Sequence, residues 1–252
     1  MKKDYYQIAE DFYHKGEYKK AFENYRLGAN DGDAACINAL GYCYGEGIGV
    51  EKEPYLELEY YKKAASLGNI KAYINLGNVY GVGTYLVDVD QELSFIWYKQ
   101  AALNNHSEAQ FAVGLRCFNG YGTKKDLSQA IEWIEKAAHQ QHPQAIEFLY
   151  TVYGGGYGFE RDEEKVAFWC EKAAKIGMVD AQNNYGLRLI DEKRYEEAFY
   201  YFNEAAKKGS QLALGNMGYC YMNGLGVKKD TEKGKYYLEL SGFSYFDEGE
   251  NN

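Results

Sequence analysis

The sequence predicts an all-α fold, a right-handed α-α superhelix (solenoid) of about seven helix pairs. Three observations predict it. A pair of small residues recurs at a nearly constant interval along the whole chain. Glycine and tyrosine are abundant, 28 and 27 residues, and fall at fixed places within that interval. Proline is almost absent, with 2 in 252 residues, as uninterrupted helices require.

The small pair is Gly28-Ala29, Ala64-Ala65, Ala101-Ala102, Ala137-Ala138, Ala173-Ala174, Ala205-Ala206 and Ser241-Gly242, at spacings of 36, 37, 36, 36, 32 and 36. Eight residues after each pair begins comes another small side chain: Cys36, Ala72, Ala109, Ala145, Ala181 and Ala213. Taking that residue as offset 0, offset 4 is apolar or aromatic (Leu40, Leu76, Val113, Leu149, Tyr185, Met217). Offset 5 is glycine except at Tyr150, and offset 8 is Tyr44, Tyr80, Cys117, Tyr153, Leu189 or Tyr221. Offsets 0, 4, 5 and 8 trace one arc of a helix, here helix A, whose small residues let a neighbour approach closely.

Glycine-rich loops such as Gly45 to Val50, Gly120-Tyr121-Gly122 and Gly224-Leu225-Gly226 end helix A, because glycine takes positive φ at low cost. An acid follows in register, Glu53, Asp90, Asp126, Asp162 and Asp230, placed to cap a second helix, B. Pro54 sits where a first-turn proline is tolerated. Helix B carries an aromatic ridge, Tyr60-Tyr61, Trp97-Tyr98, Trp133, Trp169 and Tyr201-Phe202, that suits packing onto small residues of a neighbouring helix.

Residues 214–230, from Leu214-Gly215-Asn216-Met217-Gly218-Tyr219 through Gly224-Leu225-Gly226-Val227 to Asp230, resemble the Sel1-like repeat, a relative of the tetratricopeptide repeats. Asp126 to Ala138, with Ala130, Trp133 and Ala137, resembles its second half. The resemblance implies one repeat solenoid over 1–243, with helix pairs near 4–31, 33–67, 70–104, 107–140, 143–176, 179–208 and 211–242, and an acidic tail, 244–252, expected to be disordered. The pairs at 4–31 and 179–208 lack the Gly-x-Gly loop and turn through His14 to Tyr18 and Asp191 to Tyr195, in the shorter tetratricopeptide manner.

A formal charge of −9 disfavours nucleic acid and anionic membrane surfaces as partners. The first residues carry charge where a signal peptide needs an apolar segment, and no apolar run approaches the ~20 residues of a membrane span, so a cytoplasmic protein is expected. Five cysteines, Cys36, Cys43, Cys117, Cys170 and Cys220, without a CxxC, read as free core thiols in a reducing compartment.

No catalytic, cofactor or metal residues are expected. Gly154 to Gly158 lacks the lysine and the preceding strand of a phosphate loop. His139 and His142 have no third ligand beside them, and Pro143 starts a new helix. Asp162-Glu163-Glu164 reads as a helix start. A cysteine-rich subgroup of the resembled family pairs its cysteines between helices, which would imply a β-lactamase-like hydrolase; the paired cysteines are missing here.

The resemblance implies a non-catalytic adaptor that binds a protein or peptide, with helix A lining a concave groove. Family members serve as adaptors in bacterial signalling, secretion and host contact and in eukaryotic protein degradation; another implied role is a cytoplasmic immunity protein that neutralises a secreted toxin. At about 100° per residue, offsets 0, 1, 4, 5 and 8 lie on the packed arc, and offsets 2, 6 and 9 lie opposite. Expected partner-binding residues are therefore Asn38 and Tyr42; Ile74 and Asn78; Phe111, Leu115 and Phe118; Glu147; Asn183 and Leu187; Tyr219 and Met222; with Tyr6 and Glu10 from the first pair. Phe111, Leu115 and Phe118 form an apolar stripe expected to anchor the partner, with asparagine amides beside it to pair with its backbone. The sequence does not fix an oligomeric state.

Overall fold

A computed structural model describes residues 3–84 and 87–242; the acidic tail lies outside the described residues. These residues form fourteen α-helices in seven A–B pairs. The chain divides into two compact units, Met1–His142 and Pro143–Asn252. The first holds α1 (Tyr5–His14) with α2 (Tyr18–Asn30), α3 (Ala34–Glu46) with α4 (Pro54–Ser66), α5 (Ile70–Val82) with α6 (Gln91–Leu103), and α7 (Ser107–Asn119) with α8 (Leu127–His139). The second holds α9 (Pro143–Tyr153) with α10 (Glu163–Lys175), α11 (Val179–Asp191) with α12 (Tyr195–Lys207), and α13 (Gln211–Asn223) with α14 (Thr231–Leu240).

The caps explain the boundaries. Asp90, Asp126, Asp162 and Asp230 each accept a hydrogen bond from the backbone three residues on, as their register suggests. Glu53 holds the same place without a side-chain cap, its longer side chain leaving Pro54 to start α4. Helix A has caps of its own: Asp33 accepts from Ala35 and Cys36, Asn69 from Ala72, and Ser210 from Ala213. The short turns fall where expected, with α2 starting at Tyr18 and α12 at Tyr195. Gly154 to Gly158 forms the turn between α9 and α10, with a 3-10 helix over Gly156–Gly158.

Within a pair, glycine lies under a large residue of helix B. A Cβ placed on Gly41 would fall 2.6 Å from the Tyr61 ring, on Gly77 2.7 Å from Tyr98, and on Gly186 2.5 Å from Phe202. Ile134 and Leu238 take the same place over Gly114 and Gly218. The alanines of the small pairs are buried except Ala206, which is half-buried, and Ala72, Ala109, Ala145, Ala181 and Ala213 are wholly inaccessible, as their register predicts.

Between pairs, two devices recur. Tyr44 meets Phe22 of the preceding helix B edge-on at 5.5 Å and stacks on Tyr60 of its own at 5.4 Å. Tyr221 repeats the arrangement with Phe199 and Tyr237, which accounts for tyrosine in the repeat. The second glycine of the loop seats on the first turn of the preceding helix B. A Cβ on Gly49 would lie 2.2 Å from the Tyr18 carbonyl oxygen, on Gly122 1.8 Å from that of Gln91, and on Gly226 2.1 Å from that of Tyr195. The first glycine stops the helix and the second joins neighbouring pairs.

Candidate functional site

The A helices sort the expected binding residues by offset. Offset 6 faces outward: Tyr42, Leu187 and Tyr219 are 44%, 44% and 55% exposed, Asn78 and Thr151 are exposed, and Leu115 is half-buried. Asn78 also accepts a hydrogen bond from the Tyr98 hydroxyl. Offset 9 does not join this face. Phe118 packs against the core around Val113 and Ala130, with the Lys125 ammonium 5.8 Å from its ring. Met222 lies where a Cβ on Gly234 of α14 would meet its Cγ at 2.3 Å. Both side chains are half-buried, so a position opposite the packed arc on a helical wheel is partly covered there.

Offset 2 is mixed. Glu147 is exposed, and Ile74 and Phe111 are half-buried. Asn38 and Asn183 are buried, and their amides serve the array itself: Asn75 Nδ2 donates to Asn38 Oδ1 at 3.0 Å, and Asn216 Nδ2 to Asn183 Oδ1 at 2.7 Å. Offset 2 of one A helix meets offset 3 of the next. These two amides are therefore committed between helices rather than presented to a peptide backbone, because a buried amide needs its partner inside the fold. The Phe111 ring lies 5.0 Å from that of His142, so the apolar stripe is in part closed by its own unit.

Five of the expected residues, Tyr6, Glu10, Asn38, Tyr42 and Ile74, line one cavity of about 420 Å³ in the first unit. Residues outside the sequence reading complete it, among them Tyr25, Lys71, Asn75, His106 and Glu108. His106 and Glu108 belong to the start of α7 rather than to its outward offsets, and no periodicity marks them. Glu10 accepts from the Tyr25 hydroxyl. Burial, and then the Glu10 charge, pushes the Tyr6 phenol above its ordinary value. The same two causes push the Cys43 thiol to about 12.

The second unit has a cavity of about 610 Å³ between α9, α10 and α11, lined by Tyr150, Cys170, Asn184 and Arg188. Arg188 shares offset 7 with Arg116; elsewhere that register holds Cys43, Val79, Val152 and Cys220. Arg116 lies 4.2 Å from the Tyr98 ring centroid and donates to Ser94 Oγ at 3.0 Å. Its Nε, like Nη1 of Arg188, is buried without a hydrogen-bond partner.

Among the described residues no three His, Cys, Asp or Glu side chains converge as a metal set, and no helix is long and apolar enough to cross a membrane. All five cysteines are free and buried, as their register suggests.

The Sel1 repeat profile matches residues 4–33, 34–69, 70–106, 107–142, 151–178, 179–210 and 211–242. The crystal structure of a Sel1 repeat protein from Oxalobacter formigenes is 27% identical, with a TM-score of 0.64 over 99% of this chain and 100% of that one. Chitin synthase regulatory factor 3 of Schizosaccharomyces pombe is 32% identical over 114 residues, 44% of this chain and 12% of that protein. DAP3-binding cell death enhancer 1 of Rattus norvegicus is 39% identical over 145 residues, 56% of this chain and 28% of that protein. The chain thus spans a minor part of either curated relative.

Proposed function

The chain belongs to the Sel1 repeat family, and from that we propose that it is a non-catalytic module that binds a protein partner on the outward face of its A helices. The observation that carries this reading is offset 6, exposed in each of the two units. A register inside a packed repeat presents Tyr42, Leu187 and Tyr219 to solvent, each about half exposed. Large amphipathic side chains at low entropy cost are what interfaces favour. Within the first unit Tyr42 of this row also lines the cavity at Tyr6 and Glu10. The curated relatives are named for regulating or binding other proteins, which supports a binding role. Free buried thiols fit a reducing, cytoplasmic setting.

The test uses affinity capture from a lysate of the source organism, with wild type beside a Tyr42→Ser, Leu187→Ser, Tyr219→Ser variant. Captured proteins are then purified and titrated calorimetrically. A protein that binds wild type directly, and binds the folded variant at least tenfold more weakly (about 1.4 kcal/mol), supports the reading. Equal binding to both removes the offset-6 face from the site.

A further inference from the structure

The cavity of the first unit has a chemistry of its own. Its walls are rich in hydrogen-bond acceptors. The carboxylates of Glu10 and Glu108 line it, as does His106, whose Nδ1 is buried without a partner. Asn75 spends its amide nitrogen on Asn38, and its carbonyl oxygen has no donor of its own. Aromatic rings make up much of the remainder, with Tyr6, Tyr13 and Tyr42 half-buried or exposed on one side.

The charges on these walls are poorly balanced from within. Glu10 is only 30% exposed, and its one basic neighbour is His14, 3.9 Å away and itself 74% exposed. Among the described residues no lysine or arginine stands within ion-pair distance of Glu10 or Glu108. Among the described residues the lysine on the wall is Lys71, an exposed residue of the first turn of α5.

We propose that this cavity binds the guanidinium group of an arginine on the partner protein. The inference rests on the reading that the A-helix face binds a protein. A guanidinium offers five donors and no acceptor, matching walls that offer acceptors. Its flat cation stacks on tyrosine faces while its edge reaches carboxylates. The chain uses the stacking part of this pairing internally, where Arg116 lies 4.2 Å over Tyr98. A space of about 420 Å³ admits one such side chain with accompanying water. The negative charge of Glu10 is felt by the surrounding phenols, since burial and then Glu10 raise the Tyr6 pKa. An ammonium would meet the carboxylates but lacks the flat face that stacks on the tyrosine rings.

The test titrates the full-length protein with acetyl-Gly-Arg-Gly-amide and with the isosteric, uncharged citrulline peptide, followed by NMR. The arginine peptide is expected to shift resonances of Tyr6, Tyr42 and His106 and to bind about tenfold more tightly than the citrulline peptide. Glu108→Gln is expected to weaken the arginine peptide several-fold. Glu108 is exposed in the first turn of α7, so the variant keeps its fold. Lys71→Met is expected to tighten binding, because it removes an opposing charge. Equal affinity for both peptides, no shift at these residues, or weaker binding after Lys71→Met overturns the guanidinium assignment. If the assignment fails while a purified partner still binds wild type better than the Tyr42, Leu187, Tyr219 variant, the protein-binding reading stands. If both measurements are indifferent, both readings fall.

Discussion

Tyr150 of α9 and Cys170 of α10 line one cavity and reverse the size relation found in five other pairs. There, glycine on helix A lies under Tyr61, Tyr98, Ile134, Phe202 or Leu238 of helix B. Here the large residue stands on helix A and the small one on helix B, so the contact survives with its partners exchanged. Cys170→Tyr alone is expected to overpack the interface and to cost about 1–3 kcal/mol. Tyr150→Gly alone leaves a void and adds glycine's helix penalty. The double variant restores the common arrangement, so its loss falls short of the sum by about 1 kcal/mol or more. Urea denaturation of the four proteins measures that coupling, and strict additivity would show that the two side chains do not share one space.

The two glycines of one loop do different work, and alanine separates them. Gly120 has φ +78, and nothing comes nearer than 3.4 Å to an added Cβ, so Gly120→Ala costs conformational strain alone, about 1–2 kcal/mol. At Gly122 the φ is +69 and the Cβ would fall 1.8 Å from the Gln91 carbonyl oxygen. Gly122→Ala must push α7–α8 away from α6 and is expected to cost at least about 2 kcal/mol more than its neighbour. Thermal unfolding of both variants decides it; equal losses would mean that the loop does not bear on α6.

The helix pairs were legible because their signals are local. Small residues recur beneath large ones, glycine stops helix A, and an acid caps helix B within three residues. The binding face was legible only in part. A helical wheel places offset 9 opposite the packed arc, yet Phe118 packs on the core of its pair and Met222 lies against Gly234 of helix B, so both are half-buried. Asn38 and Asn183 look like recognition amides until Asn75 and Asn216 are found against them, 37 and 33 residues along the chain. His106 and Glu108 enter the cavity from a helix start, where periodicity gives no signal.

The paired asparagines are expected to matter for stability rather than for partner contact. Asn183→Ala leaves Asn216 Nδ2 without its acceptor at a site only 3% exposed, a loss of about 1–3 kcal/mol. Asn183→Asp keeps an acceptor but places a charge in the interior and is expected to lose more. Chemical denaturation gives the stabilities. Unchanged affinity for a purified partner in the folded Asn183→Ala protein separates this role from recognition, and a selective loss of affinity would return Asn183 to the binding face.

The thiols set an alkaline limit. Burial raises Cys36 and Cys43 to about 12 and Cys220 to about 11, from an ordinary value of 9.0. The folded state therefore holds these protons more tightly than the unfolded chain. The stability linked to them is complete below pH 9 and is lost as pH rises from 9 towards 12. A thiol-reactive dye near neutral pH is expected to label the native protein slowly and all five cysteines once guanidinium chloride unfolds it. Rapid labelling of native protein at any of these three residues would contradict their burial.

Arg116 tests whether a charge in a core register stabilises the fold. Four of the five equivalent positions hold valine or cysteine and the fifth is Arg188, and desolvation by burial lowers the Arg116 pKa. Its guanidinium gains the Tyr98 face and Ser94 Oγ but has no carboxylate, and Nε is buried unsatisfied. Ser94 Oγ already donates to the Gly77 carbonyl at 2.7 Å and keeps that bond without the arginine. A side chain that fills the same space without charge removes the desolvation cost and the orphaned N–H together. Arg116→Met is expected to lie within about 1 kcal/mol of wild type or to be more stable. Arg116→Ala, which empties the space beside Tyr98 and Gly81, is expected to lose about 2 kcal/mol or more. Guanidinium chloride would screen the charge being tested, so urea is the denaturant. A methionine variant as unstable as the alanine variant would show that the cation–π contact and the Ser94 hydrogen bond outweigh the cost of burying the charge.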